Sequence, residues 1–196
     1  MNRALPLAAC LWLLTCAGAA GLSPVKLSTS VKLSTSVKLS TSVKLSTSVK
    51  LSAVDRALIP KVMMANRFEL LASKLALRLS RDRQTRAYAQ SMIAVHTGRL
   101  ATLRATVLKI DPSVSFPAGL TPDQQATLTA LGGAGNNFGK LYKQAMKDVH
   151  AQAFGLFQTY TSSSAAHPAL KAVIQDLLAT VKQHWDEASD LPGQLP

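Results

Sequence analysis

Residues 84–110 read QTRAYAQSMIAVHTGRLATLRATVLKI, and the spacing of their apolar side chains decides the fold. Tyr88, Met92, His96, Leu100, Leu103 and Val107 recur every three or four residues, the interval at which side chains stack on one face of an α-helix. A helix of that length with one apolar stripe must bury the stripe against other helices, so similar stretches are expected on either side of it.

They are present. Before it, about Pro60 to Leu79, the residues Phe68, Leu71, Ala72, Leu75 and Leu79 form a second stripe, broken at Ser80 to Arg83. After it comes a loop with Pro112, Pro117 and Gly119. Thr121-Pro122-Asp123-Gln124 then reads as a capping box with proline in the first turn, opening a short helix to about Leu131. Two further long helices follow. One runs from about Phe138 to Tyr160, with Tyr142, Met146, Val149, Ala153, Leu156 and Phe157 inward. The other runs from about Ala169 to Leu191, with Leu170, Val173, Ile174, Leu177, Val181, Ala188 and Leu191 inward. The expected fold is all-α, an antiparallel four-helix bundle with one short extra helix between the second and third long helices, filling residues 55–196.

Residues 1–54 read differently. Arg3, the apolar run Ala4 to Leu14 and the small residues Ala17 to Ala20 form a secretory signal over residues 1–20. The run is shorter than the roughly 20 residues a membrane-spanning helix needs, and no transmembrane helix is expected in the mature chain. Cys16 offers lipid anchoring as an alternative to simple cleavage. Cys10 and Cys16 are the only cysteines, so cleavage leaves no thiol for disulfides or thiolate chemistry. From Val25 the hexapeptide VKLSTS repeats and ends in a truncated VKLS at Val49 to Ser52; residues 21–54 read as a low-complexity tether. The expected location is the periplasm or outer envelope. The formal net charge of +12 favours weak association with an anionic envelope surface and an envelope partner, with no role for nucleic acid in that compartment.

The chain carries no phosphate-binding glycine loop, nucleophile elbow or HExxH, and its only glutamates are Glu69 and Glu187. No catalytic or organic-cofactor residues are assigned. What stands out is placement. His96, His150 and His184 fall on the apolar stripes of three different helices, and Glu69 lies at the edge of a fourth. A buried carboxylate needs a partner, and one ligand per facing helix is how bundle cores build metal sites. Glu69, His96, His150 and His184 are therefore the candidate metal ligands, for zinc, copper or iron; Met92 and Met146, each four residues before a histidine, would favour copper(I) if their sulfurs took part. Histidines on apolar faces are also ordinary core residues bonded to a carboxylate or a backbone carbonyl. His167, before Pro168, reads as an exposed turn residue, and Lys140, Lys143 and Lys147 as a solvated edge.

FELLASKLAL at Phe68 to Leu77, YAQSMIAVHT at Tyr88 to Thr97, FGKLY at Phe138 to Tyr142, His150 and VKQHWDEA at Val181 to Ala188 resemble a bacterial envelope family known as domain of unknown function 4142, over about Met63 to Leu191. The resemblance implies a ferritin-like bundle in which Glu69, His96, His150 and His184 act together, and it carries no assigned activity. Val95 and Gly139 stand where the family usually has acidic residues. Ile93 and Val181 stand where a ferritin-type di-iron site needs glutamates, so that site is not expected. Three functions remain: a non-enzymatic binding module that holds a metal ion, a metal-dependent oxidoreductase of ferritin-like type, and a structural or stress-response interaction protein without metal. The first is preferred, and a pocket reaching Glu69 and His96 would favour the second.

Overall fold

The computed structural model describes residues 50–193. The expected secretory signal, and the repeat up to Val49, lie outside the described residues. Five α-helices account for most of the rest: α1 Ala53–Leu79, α2 Arg83–Ile110, α3 Pro122–Gly132, α4 Phe138–Ser162 and α5 Pro168–Asp190, with a single 3₁₀ turn at Gly135–Asn137 before α4. The described residues contain no strand. No described helix is long and apolar enough to cross a membrane.

Helix α1 starts seven residues earlier than its proline suggested. Ser52 Oγ accepts from the Asp55 backbone N–H, and Asp55 Oδ2 accepts from the Ser52 N–H, so the capping box Ser52-x-x-Asp55 satisfies two donors at once. Pro60 sits inside the helix rather than at its first turn. Its missing N–H forfeits one bond of the ladder, a loss offset here by burial of Leu58, Ile59, Val62 and Met63 around it. The last, truncated copy of the repeat therefore takes part in the bundle, Leu51 entering the core and Ser52 supplying the cap.

The turn between α1 and α2 is tied by Arg86, which donates to the carbonyls of Leu77 and Ser80. Asp82 caps α2 by accepting from the Thr85 N–H. The capping box predicted at Thr121 and Gln124 is present, with Pro122 at the first position of α3. Gly135 turns the chain with φ +52°, a conformation that favours glycine. His167 is not a free turn residue. Its ring Nδ1 accepts from the Ala169 N–H and caps α5, while its own N–H donates to the buried Asp55.

The helices pack as a bundle in which α1 touches α2 and α4, and α5 touches α2 and α4. Contacts pair early residues of one helix with late residues of another: Arg56 with Asp111, Tyr160 with Asp55, Gln84 with Asp190, and Lys143 with the Leu191 carbonyl. Lys143 is thus half-buried and engaged, not part of a solvated edge. Leu71 and Leu79, expected inside, are 38% and 36% exposed, because α1 turns Phe68, Ala72 and Ala76 to the core instead.

The core has two apolar clusters. One gathers Leu58, Ile59, Met63, Leu103, Phe157 and Ile174, the other Phe68, Met92, Phe138, Tyr142, Met146 and Ala188. On every long helix the passage from one cluster to the other falls at a polar side chain: Asn66 and Glu69 on α1, His96 on α2, His150 on α4 and His184 on α5.

Candidate metal centre

Glu69, His96, His150 and His184 come from four helices and meet in that layer. All are buried, at 4%, 8%, 0% and 2% exposure respectively. One ring nitrogen from each of His96, His150 and His184 can be chosen so that all three lie within 4.8 Å of one another. Glu69 adjoins two of the rings, its Oε2 lying 3.0 Å from His96 Nδ1 and its Oε1 3.5 Å from His150 Nε2. The four residues picked out in the sequence are therefore brought together. The three histidines form the tight group, and Glu69 leans on it from one side.

Hydrogen bonding fixes where the ring protons sit. His150 Nδ1–H donates to the Met146 carbonyl at 2.7 Å, which leaves its Nε2 with a bare lone pair. That nitrogen is buried without a hydrogen-bond partner. His96 Nδ1–H faces Glu69 Oε2 and donates to Asn66 Oδ1 at 3.1 Å, which turns its Nε2 toward His184. That Nε2 stands 3.3 Å from His184 Nδ1. The Tyr88 hydroxyl donates to the His184 backbone carbonyl at 3.2 Å and helps hold that turn of α5.

The charge states follow from burial and neighbours. Burial alone would raise Glu69, yet the imidazoles of His96, His150 and His184 around it hold its carboxyl below the ordinary carboxylate range. Burial pushes His150 down, and burial together with the two neighbouring rings pushes His184 down to about 4. Near neutral pH His150 and His184 therefore favour the uncharged form, which a metal ion requires of an imidazole ligand. A histidine that binds metal through one nitrogen and donates from the other to a fixed oxygen is correctly oriented for the task; His150 donates to the Met146 carbonyl, and His96 to Asn66 Oδ1 with the Glu69 carboxylate 3.0 Å away. Metal–nitrogen bonds of about 2.0–2.1 Å in a tetrahedral site place neighbouring ligand atoms roughly 3.3–3.4 Å apart. His96 Nε2 and His184 Nδ1 stand at that spacing, 3.3 Å, and the three rings together offer nitrogens within 4.8 Å of one another.

Asn66 is the member that sequence reasoning missed. It lies three residues before Glu69, on the same face of α1, and its Nδ2 is buried without a partner. Met92 and Met146 are fully buried in the adjoining apolar cluster, and Met146 serves the layer through its backbone carbonyl.

A cavity of about 630 Å³ reaches this layer and is lined by Asn66, Glu69 and His96. Its other walls come from all five helices. They are mostly apolar, with Lys61, Asp123 and Asp148 among the exposed lining residues.

The family described as Domain of unknown function (DUF4142) matches residues 40–191. The chain belongs to this family. No curated protein and no solved structure matches it. The DUF4142 match covers every helix described above and the whole buried layer, and it begins within the hexapeptide repeat.

Proposed function

We propose that this DUF4142 chain is an exported metal-binding protein of the bacterial envelope. In this reading it is an antiparallel four-helix bundle of the ferritin-like kind, with α3 as the extra helix, and it holds one transition ion on His96, His150 and His184. Glu69 orients His96 and supplies the negative charge beside the ion. The observation that carries the reading is the convergence of three buried imidazoles, two with one ring nitrogen already hydrogen-bonded and one of these, His150, with its other nitrogen lacking a hydrogen-bond partner. Imidazole donors suit zinc, copper or iron, and a three-histidine donor set suits zinc. The repeat, in this reading, spaces the bundle from the envelope surface.

The test is elemental analysis of the protein purified from a periplasm without chelators, beside a variant carrying His96→Ala and His150→Ala. Near-stoichiometric metal that disappears in the variant supports the site. No metal in either protein, with no uptake of added zinc, copper or iron, overturns it and leaves the layer as core architecture in an interaction protein.

The cavity supports a second reading, a metal-dependent oxidoreductase, since it gives a small molecule a route to Glu69 and His96. Redox cycling of the loaded protein with an added electron donor separates the two, because a redox-silent zinc protein does not turn over.

A further inference from the structure

The cavity has a chemical character of its own. At about 630 Å³ it falls in the range of roughly 300–1,000 Å³ typical of sites that enclose a drug-sized molecule. Val62, Phe68, Leu103, Phe157, Leu177 and Val181 are buried wall residues that offer only apolar surface. The charged lining groups that are not buried come in balanced signs, Lys61 and Arg99 against Asp123 and Asp148, and the buried Glu69 adds a negative charge. Arg99 is further engaged with the Thr180 hydroxyl at 3.1 Å. Among the buried lining residues the polar groups are Asn66, Glu69 and His96. Glu69 faces His96 Nδ1–H, and Asn66 Oδ1 accepts from the same group, while Asn66 Nδ2 has no partner. That nitrogen is closed off as fully as His150 Nε2, so the cavity does not present it to a ligand. A ligand carboxylate would meet the Glu69 carboxylate, in surroundings too apolar to screen the repulsion.

We propose that this cavity binds an uncharged, mainly apolar molecule, such as a medium-chain ketone or ester. The site belongs to the chain with or without a metal ion, so it stands or falls apart from the metal reading.

The experiment uses the full chain stripped with chelator, and the neutral apolar fluorophore N-phenyl-1-naphthylamine as reporter. Saturable binding is expected, with displacement by a medium-chain methyl ketone at concentrations about tenfold lower than by the alkanoate of equal length, the discrimination expected of about 1.4 kcal/mol. Ala153→Trp and, separately, Val95→Phe fill the walls and abolish reporter binding; far-UV circular dichroism identifies whichever variant keeps its helices, and that variant decides. Absence of saturable binding, reporter binding that survives in a folded wall variant, or an alkanoate that competes as well as the ketone overturns the proposal. Repeating the titration after zinc loading keeps the two readings separate, since a protein that takes up no zinc but binds the ketone loses only the metal site.

Discussion

Glu69 Oε2 lies 3.0 Å from His96 Nδ1 and Oε1 lies 3.5 Å from His150 Nε2, so one carboxylate acts on two rings in different ways. Toward His96 it fixes the proton on Nδ1, and toward His150 it presents charge to a bare lone pair. Glu69→Gln keeps an acceptor for His96 but removes the charge. In competition titrations with a chromophoric chelator its zinc affinity is expected to fall about 10- to 100-fold, the usual cost of losing a partner that orients a ligand. His150→Ala, which removes a donor nitrogen, is expected to abolish stoichiometric binding. Wild-type affinity in both variants would take these residues out of the centre. Glu69 and the three histidines are legible in the sequence because each interrupts an apolar stripe, His184 for example between Val181 and Ala188. Asn66 is harder to read, since asparagine is common on solvated faces and its importance lies in an unmet donor, which no spacing reveals. The ring tautomers are equally invisible, because they depend on which carbonyl or carboxylate stands opposite.

Helix α1 shows how two local signals compete. Pro60 is a good first-turn residue, but Ser52 and Asp55 form the stronger start because they satisfy each other's backbone donors. The pair is readable as S-x-x-D, yet it sits at the junction with the repeat, where the change of pattern draws the boundary too late. Ser52→Ala is expected to cost about 1 kcal/mol in chemical denaturation. Asp55 does more than cap. Its Oδ1 also accepts from the Tyr160 hydroxyl at 2.5 Å and the His167 N–H at 2.9 Å, joining the start of α1 to the end of α4 and the start of α5. Burial alone would raise its carboxyl, but the hydrogen bonds from His167, Tyr160 and Ser52 hold it below the ordinary value of 3.8. A folded-state value below the unfolded one means that Asp55 stabilises the fold fully above the unfolded value and loses that contribution as pH falls toward the folded one. Asp55→Asn is therefore expected to lose about 3 kcal/mol at pH 7. Its stability should then decline less steeply than the wild type's as pH drops below about 4. Parallel acid slopes in the two proteins would remove Asp55 as a source of acid sensitivity.

At the scale of the molecule, the fold class and the order of elements follow from periodicity, since apolar stripes leave a bundle as the compact solution. The alignment of the four polar residues at one level does not follow, because it depends on helix registers set by contacts such as Ser73 Oγ with Tyr142 OH at 3.1 Å. The resulting layer divides the core into two apolar clusters, an arrangement that does not favour stability for its own sake. Replacing a buried polar network by apolar residues of similar size is often neutral or stabilising by about 1–4 kcal/mol. A chain carrying Asn66→Leu, Glu69→Leu, His96→Leu, His150→Leu and His184→Leu together is accordingly expected to melt at or above the temperature of the metal-free wild type. Zinc is expected to act in the opposite sense on the pair. At about one hundred times its dissociation constant it stabilises the wild type by about 2.7 kcal/mol, roughly 8 °C for a domain of this size, and leaves the leucine variant unmoved. Thermal melts with and without the ion measure both. A variant that melts far lower, or without cooperativity, would show that the layer is retained to specify the fold, whereas a stable variant blind to zinc would show that the chain forgoes stability in order to keep a site.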